Sequence, residues 1–208
     1  MNSVNNYVEN FNKLAAKQEG FKGSDIKPWI SVNPTVFCDV DRAMEIARKS
    51  IKNAPFKINP IGNCFLYTQF VSEGLLNHGI KHTVTVGNVF VNGKPHYPTT
   101  EESIKEDLIE GYNPSKTANA HTWITLENGV VLDSTILHSI AKSECRKPIK
   151  SIKSIYVSGA SGRDRIEYYP YHLGTEYMTI VVAGQNEISF QIIGNWTEKI
   201  CSVLGSRI

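Results

Sequence analysis

Apolar residues recur at helical spacing through the first part of this chain and alternate with polar ones further on, and that change of period organises the sequence. A short helix is expected over 4–17, followed by a connector punctuated by Gly and Pro as far as Pro34. Val40, Ala43, Met44, Ala47 and Ile51 fall near a 3.6-residue period, which predicts an amphipathic helix over 39–53 with Asp39 as its cap and Pro55 as its stop. The next helix is expected over 64–78. Pro60 and Gly62 break the chain before it, Asn63 is its expected N-cap, and Gly79 ends it. On that helix Cys64 shares a stripe with Tyr67, Val71 and Leu75, flanked by Leu66 and Phe70, while Gln69, Ser72 and Glu73 fall on the other side. Cys64 should therefore face the core at the helix end where backbone N–H groups lack partners.

Residues 83–91 alternate as a strand. Residues 93–120 read as an insertion, with a helix over 101–110 and a turn at Asn113-Pro114. Strands over 121–126 and 130–135 meet at Asn128-Gly129, a strong hairpin signal. Further strands are expected over 154–157, 166–169, 178–182 and 188–193, with a closing helix over 197–204. The layout is α+β: a helical amino-terminal part, and a central Cys-bearing helix packed on an antiparallel sheet.

Composition adds limits rather than detail. A chain of 208 residues, 41% of them apolar and 20% charged, is long enough for one domain with a real core. A single domain over 1–208 is expected, with 58–136 as its core segment, 93–120 as an insertion or lid, and 137–208 as added strands and a helix. The net charge of +2 makes no electrostatic case for nucleic acid or a membrane as partner. No apolar run approaches the ~20 residues that span a bilayer. The polar stretch 1–20 lacks a signal-peptide core, so the cytoplasm is the expected location, although export by a signal-independent route would leave the same sequence. The four cysteines, Cys38, Cys64, Cys145 and Cys201, have no paired spacing, and three of them read as packing or surface residues.

The chemistry gathers on Gly62-Asn63-Cys64, His121-x-Trp123 and Asp133-Ser134-Thr135. A cysteine is a nucleophile only as thiolate, and a helix amino terminus and a neighbouring imidazole both favour that form. Free N–H groups at the same helix end would also hold an oxyanion. The hairpin imposes a geometric condition. A two-residue loop at Asn128-Gly129 would set Ile124 opposite Asp133 and turn the carboxylate away from His121. A three-residue loop, Glu127-Asn128-Gly129 with Gly129 left-handed, pairs Trp123 with Asp133 and makes His121 and Asp133 diagonal neighbours on one face. The three-residue loop is the prediction.

Gly62-x-Cys64, then Leu75, Gly79-Ile80 and Gly87, then His121-x-Trp123, Gly129 and Asp133-x-Thr135, resemble the core of the transglutaminase-like superfamily. These are papain-related cysteine enzymes with the chain order Cys, His, Asp. The resemblance spans roughly 60–135, about a third of the chain. It implies a papain/transglutaminase-like core, with Cys64 as nucleophile, His121 as general base and acid, and Asp133 holding the imidazole. It further implies acylation of Cys64 by an amide or ester carbonyl, and no metal or organic cofactor. The long 93–120 segment before His121 departs from the pattern and reads as a lid or specificity loop.

Each residue also has a plainer reading. Cys64 can be a packing cysteine, since free Cys is among the most buried residue types. His121 can be a hydrogen-bonded core histidine, although its place at a strand start after a long loop favours an exposed rim. Asp133 is depleted in strands as a type, and it either partners His121 or caps a turn at Ser134. Asn63 is foremost an N-cap, with a lesser role as a donor to substrate. Trp123 is core or the wall of a cleft. His78 and His82 flank Gly79 past the expected helix end, so they do not make a metal-binding i,i+4 pair, and nothing joins His138 and Cys145 as ligands. Lys142, Arg146, Lys147, Lys150 and Lys153 read as a solvated basic loop, and Tyr168-Tyr169-Pro170-Tyr171-His172 as a packed edge or contact surface. The leading function is a cysteine hydrolase cleaving a peptide-like or isopeptide amide in a peptide or protein substrate. The alternatives are acyl transfer by the same triad, or an inactive binding module on the same scaffold.

Overall fold

The computed structural model describes residues 3–19, 30–54, 59–111, 113, 115, 119–147, 149, 154–159 and 162–182. The strand expected over 188–193, the helix over 197–204, Cys201, Pro114, Lys150 and Lys153 lie outside them.

Helix α1 (Ser3–Glu19), helix α2 (Val40–Lys52) and helix α3 (Cys64–Asn77) form within a few residues of their expected bounds. Asp39 caps α2 by accepting from the Arg42 amide at 2.9 Å. Gly79 ends α3 with φ of 69°, while Ile80 N–H bonds Leu75 O and Gly79 N–H bonds Leu76 O. That pair of bonds is a Schellman motif, which glycine adopts at little conformational cost. Gln69 and Ser72, expected on a polar face of α3, are buried instead. The reason is that α3 is covered on both sides, by α2 and by the sheet.

Strand β1 (His82–Val91) is the centre of a six-stranded antiparallel sheet. Strand β3 (His121–Leu126) and the two-residue β2 (Lys94–Pro95) share one of its edges, and β6 (Ile166–Leu173) takes the other. Beyond β3 lie β4 (Val131–Asp133) and β5 (Tyr156–Val157). Helix α4 (Glu101–Glu110) fills the insertion and starts in a capping box between Thr100 and Ser103. Val84, Val86, Ile124 and Leu126 face α3 and α2. Val89, Val91, Trp123 and Tyr168 face α1, whose Tyr7, Val8, Phe11 and Leu14 are buried against them. Each fully buried side chain of this kind contributes about 1.5–3 kcal/mol.

Three expectations are corrected. Residues 178–182, expected as a strand, form a π-helical turn (Met178–Val182). The chain reverses at Gly174, with φ of 92°, and then winds into a helical turn in which Tyr177 and Met178 are wholly buried. A five-residue apolar run cannot by its period distinguish a strand from a buried helical turn. Strand β4 stops at Asp133 rather than 135, because a helix that the sequence reading missed, α5 (Ile136–Ser143), begins there. Finally, β6 runs on through Pro170 to Leu173. Its pairing with β1 shifts between Val86–His172 and Gly87–Pro170, so Tyr171 is the extra residue of a bulge, which tolerates a proline lacking its N–H.

Gly87 admits this bulge, since a Cβ there would lie 2.1 Å from Tyr169 O. Gly87→Ala is expected to separate β1 from β6 and to cost about 2 kcal/mol or more in urea unfolding. An unchanged midpoint would show that the two strands part freely.

His82 ties α3 to β1. Its Nε2 meets Ser72 Oγ at 2.7 Å and its Nδ1 meets Ile80 O at 2.9 Å, the pattern of a neutral imidazole. Burial lowers its pKa from 6.5 to about 4, and burial lowers that of His172 likewise to about 4. Depressed histidines add stability that is complete above ~6.5 and is lost as pH falls toward the folded values, on the order of 3 kcal/mol each. Unfolding free energy should therefore fall between pH 6.5 and 4, less steeply in His82→Gln; equal slopes would contradict a neutral buried His82.

Candidate active site

The β3–β4 turn decides where the carboxylate points. Ile124 pairs with Leu132 and Thr125 with Val131, which places Trp123 opposite Asp133. Leu126 N–H bonds Val130 O at 2.9 Å, leaving Glu127, Asn128 and Gly129 as a three-residue loop with φ of 83° at Gly129. The register is the one anticipated from the chemistry. Gly129 is required twice, because a Cβ would also lie 2.5 Å from Val8 of α1.

With that register, His121 Nε2 and Asp133 Oδ2 are 2.6 Å apart, and the two side chains are 0% and 1% exposed. His121 is thus wholly buried, not on the exposed rim expected. Tyr97 from the insertion covers it, ring parallel to ring at 4.8 Å and 11°. Trp123 stacks on it at 6.1 Å. Asp133 fulfils both of its anticipated roles at once. Its Oδ1 accepts from the amides of Thr135 (2.9 Å) and Ile136 (3.0 Å) and starts α5, while Oδ2 serves His121.

The electrostatics follow from this pairing. Burial opposes charge on His121, but the Asp133 carboxylate outweighs it, and the imidazole pKa rises well above 6.5, with Cys64 adding to the rise. Burial likewise opposes ionisation of Asp133, but His121 and the two amides outweigh it and hold the carboxyl below its ordinary range. The pair is therefore an imidazolium and a carboxylate.

Cys64 is the first residue of α3 and is 8% exposed. Its Sγ lies 3.9 Å from the carbonyl of Ala120, the residue before His121. With Nε2 turned to Asp133, the ring nitrogen left for the thiol is Nδ1, which is buried and makes no hydrogen bond of ordinary length, while Cys64 is close enough to add to the rise in the imidazole pKa. Asn63 occupies the N-cap position but does not cap. Its side chain donates to the carbonyls of Asn59 (2.9 Å) and Ile61 (3.4 Å), because the turn before α3 folds back within its reach. The first amides of α3 are thereby left uncapped by this side chain. Trp123 is not a cleft wall. It is fully buried and gives its indole N–H to Tyr7 Oη at 2.9 Å, in a chain that continues through Thr125 to Thr85.

Tyr97 and Tyr177 escaped the sequence reading, as did the place of Tyr168 beside Asp133. Tyr97 and His96 both bond Ser139 Oγ of α5, at 3.2 and 2.8 Å, so the insertion is fastened over the imidazole. Tyr177 stacks on Phe65 at 6.0 Å and donates to Asp107 Oδ2 at 2.6 Å, beside the start of α3. Tyr168 donates to Asp133 Oδ2 at 3.0 Å. The aromatic run around Tyr168 was the one visible signal, and it is a packed strand here.

Elsewhere, Arg146 from the expected solvated loop is engaged with Asp164 through two bonds of 2.5 and 2.7 Å, and also with Glu144. Cys38, Cys64 and Cys145 are free thiols. Among the described residues no three His, Cys, Asp or Glu side chains gather to hold a metal, and no helix is long and apolar enough to cross a membrane. Comparison of the chain with protein-family models, with curated proteins and with solved structures gave no match.

The ion pair contributes stability in both directions. The raised His121 adds stability that is complete below ~6.5 and lost as pH climbs through its folded value, whereas the lowered Asp133 adds stability complete above ~4 and lost as pH falls through its own. Imidazole NMR should find His121 still protonated at neutral pH. Asp133→Asn, which removes the main force opposing burial, should bring its midpoint below ~6.5 and cost about 3–5 kcal/mol in unfolding. A midpoint unaffected by the substitution would mean that the pair does not govern the imidazole.

Proposed function

We propose that this protein is a cysteine hydrolase that cleaves a peptide-like or isopeptide amide through a thioester on Cys64, on a core of the transglutaminase-like kind. The observation that carries the reading is the division of labour on His121: Nε2 is bound to Asp133, which leaves Nδ1 for Cys64, whose side chain adds to the raised imidazole pKa. An unpartnered buried ring nitrogen is not enough by itself, since His172 Nε2 is also buried without a hydrogen bond; what sets His121 apart is that its other nitrogen is held by a carboxylate and that Cys64 adds to its raised pKa.

In the proposed reaction the Cys64 thiolate adds to the carbonyl carbon and forms a C–S bond. The oxyanion is held by first-turn amides of α3, which the side chain of Asn63 leaves uncapped. The imidazolium passes its Nδ1 proton to the amide nitrogen as the C–N bond breaks, and the amine departs. Water then attacks the thioester and loses a proton to Nδ1. The C–S bond breaks, the acid leaves, and the thiolate–imidazolium pair is restored. Asp133 stays ionised throughout and keeps Nε2 occupied, so that Nδ1 remains the working nitrogen. Replacing water by an amine would turn the same first half into acyl transfer.

Iodoacetamide labelling followed residue by residue by mass spectrometry tests the pair. Cys64 is expected to react faster than Cys38, Cys145 and Cys201, and His121→Ala should slow it at least about tenfold. With peptide amides and activated esters, an acyl adduct on Cys64 that is absent from Cys64→Ser would identify the thioester. Uniform slow labelling, with Cys64 no better than the others, would leave an inactive binding module as the function.

A further inference from the structure

The carboxylate oxygen that faces His121 has a second donor, and it comes from the far side of the sheet. Tyr168 lies on β6, which pairs with β1 and not with β3 or β4, yet its hydroxyl donates to Asp133 Oδ2 at 3.0 Å. Oδ1 is meanwhile held by the amides of Thr135 and Ile136 and lies 3.3 Å from the Thr135 hydroxyl. Both oxygens are therefore fixed. The Tyr168 ring is itself locked, edge to face with Trp123 at 4.9 Å and stacked on Tyr156 at 5.9 Å. Tyr156 in turn pairs with Asp133 across β4 and β5.

We infer that Tyr168 is a positioning residue of the triad: its hydroxyl fixes Asp133 Oδ2 and draws off part of its charge, and so sets both the direction and the proton affinity of His121. The inference rests on the triad reading above. A lone donor on Oδ2 would leave the full carboxylate charge facing Nε2, and the imidazolium would be held too tightly to release a proton at Nδ1. A second donor on the same oxygen weakens that hold without removing the charge. Burial and the neighbouring Asp133 raise the Tyr168 pKa well above 10, which keeps the phenol a donor near neutral pH. Satisfying the hydroxyl itself would need only a backbone carbonyl. Here it is spent on an oxygen that already has a partner.

The test is the titration midpoint of the His121 imidazole by NMR, together with the pH dependence of Cys64 alkylation by iodoacetamide, in the full chain. Tyr168→Phe retains the ring packing and removes only the donor, and it should raise the midpoint by about half a unit or more. 3-Fluorotyrosine placed at position 168 is a stronger donor and should lower it, which supplies the readout if the Phe variant does not fold. In an Asp133→Asn background neither change should move the midpoint further. A midpoint unmoved by either substitution, shifts of the same sign in both, or shifts that persist without the carboxylate would each overturn the inference and leave Tyr168 a packing residue. Indiscriminate labelling of the wild-type thiols would instead overturn the hydrolase reading, while the His121 midpoint would still report whether Tyr168 acts on Asp133.

Discussion

Taking a carboxylate and an imidazolium out of water costs several kcal/mol for each ion, and their attraction offsets this only when the geometry is close and the remaining polar atoms are satisfied. Asp133 and His121 meet that condition at 2.6 Å, with the second carboxylate oxygen held by the first amides of α5. Much of the fold is arranged around this one interaction. Asp133 closes β4 and opens α5, α5 carries Ser139, Ser139 fastens His96 and Tyr97, and the Tyr97 ring lies flat on His121. The chain of contacts returns to the imidazole where it began, so a disturbance of the ion pair reaches the strand end, the helix and the insertion together.

The sheet delivers the two residues to each other, and a turn sets its register. One residue more or fewer between β3 and β4 would send Asp133 to the other face, because successive side chains on a strand point to opposite sides. Gly129 holds the three-residue loop through its left-handed backbone, and its missing side chain lets α1 lie against the turn. Packing of α1 and choice of register are thus settled at one glycine. Gly87 acts similarly on the far edge, where close approach to Tyr169 admits the bulge in β6.

The two nitrogens of His121 have unlike surroundings. Nε2 of His121 is bound within a buried ion pair, while Nδ1 is kept from water and Cys64 adds to the raised imidazole pKa. Aromatic rings from three separate segments, Tyr97, Trp123 and Tyr168, enclose the pair and keep its dielectric low. In such surroundings the strength of each hydrogen bond depends on the others. For that reason a residue two strands away can bear on the imidazole.

The sequence by itself determined the helices and the hairpin. Periods and stop signals located α1 to α4, Asp39 and Gly79 marked helix ends, and Asn128-Gly129 marked the turn that sets His121 beside Asp133. These are local properties, in which a few neighbouring residues fix backbone angles and the pleat fixes the rest. Tertiary structure alone decided what depended on distant partners. It turned 178–182 from strand to helical turn by burying Tyr177 and Met178, and it started α5 from a carboxylate already bound to His121. It also drew Asn63 away from its helix and buried an imidazole whose position at a strand start suggested exposure. Tyr97 and Tyr168 stand 24 and 47 residues from His121, and no periodicity along a chain records which rings will meet across a sheet.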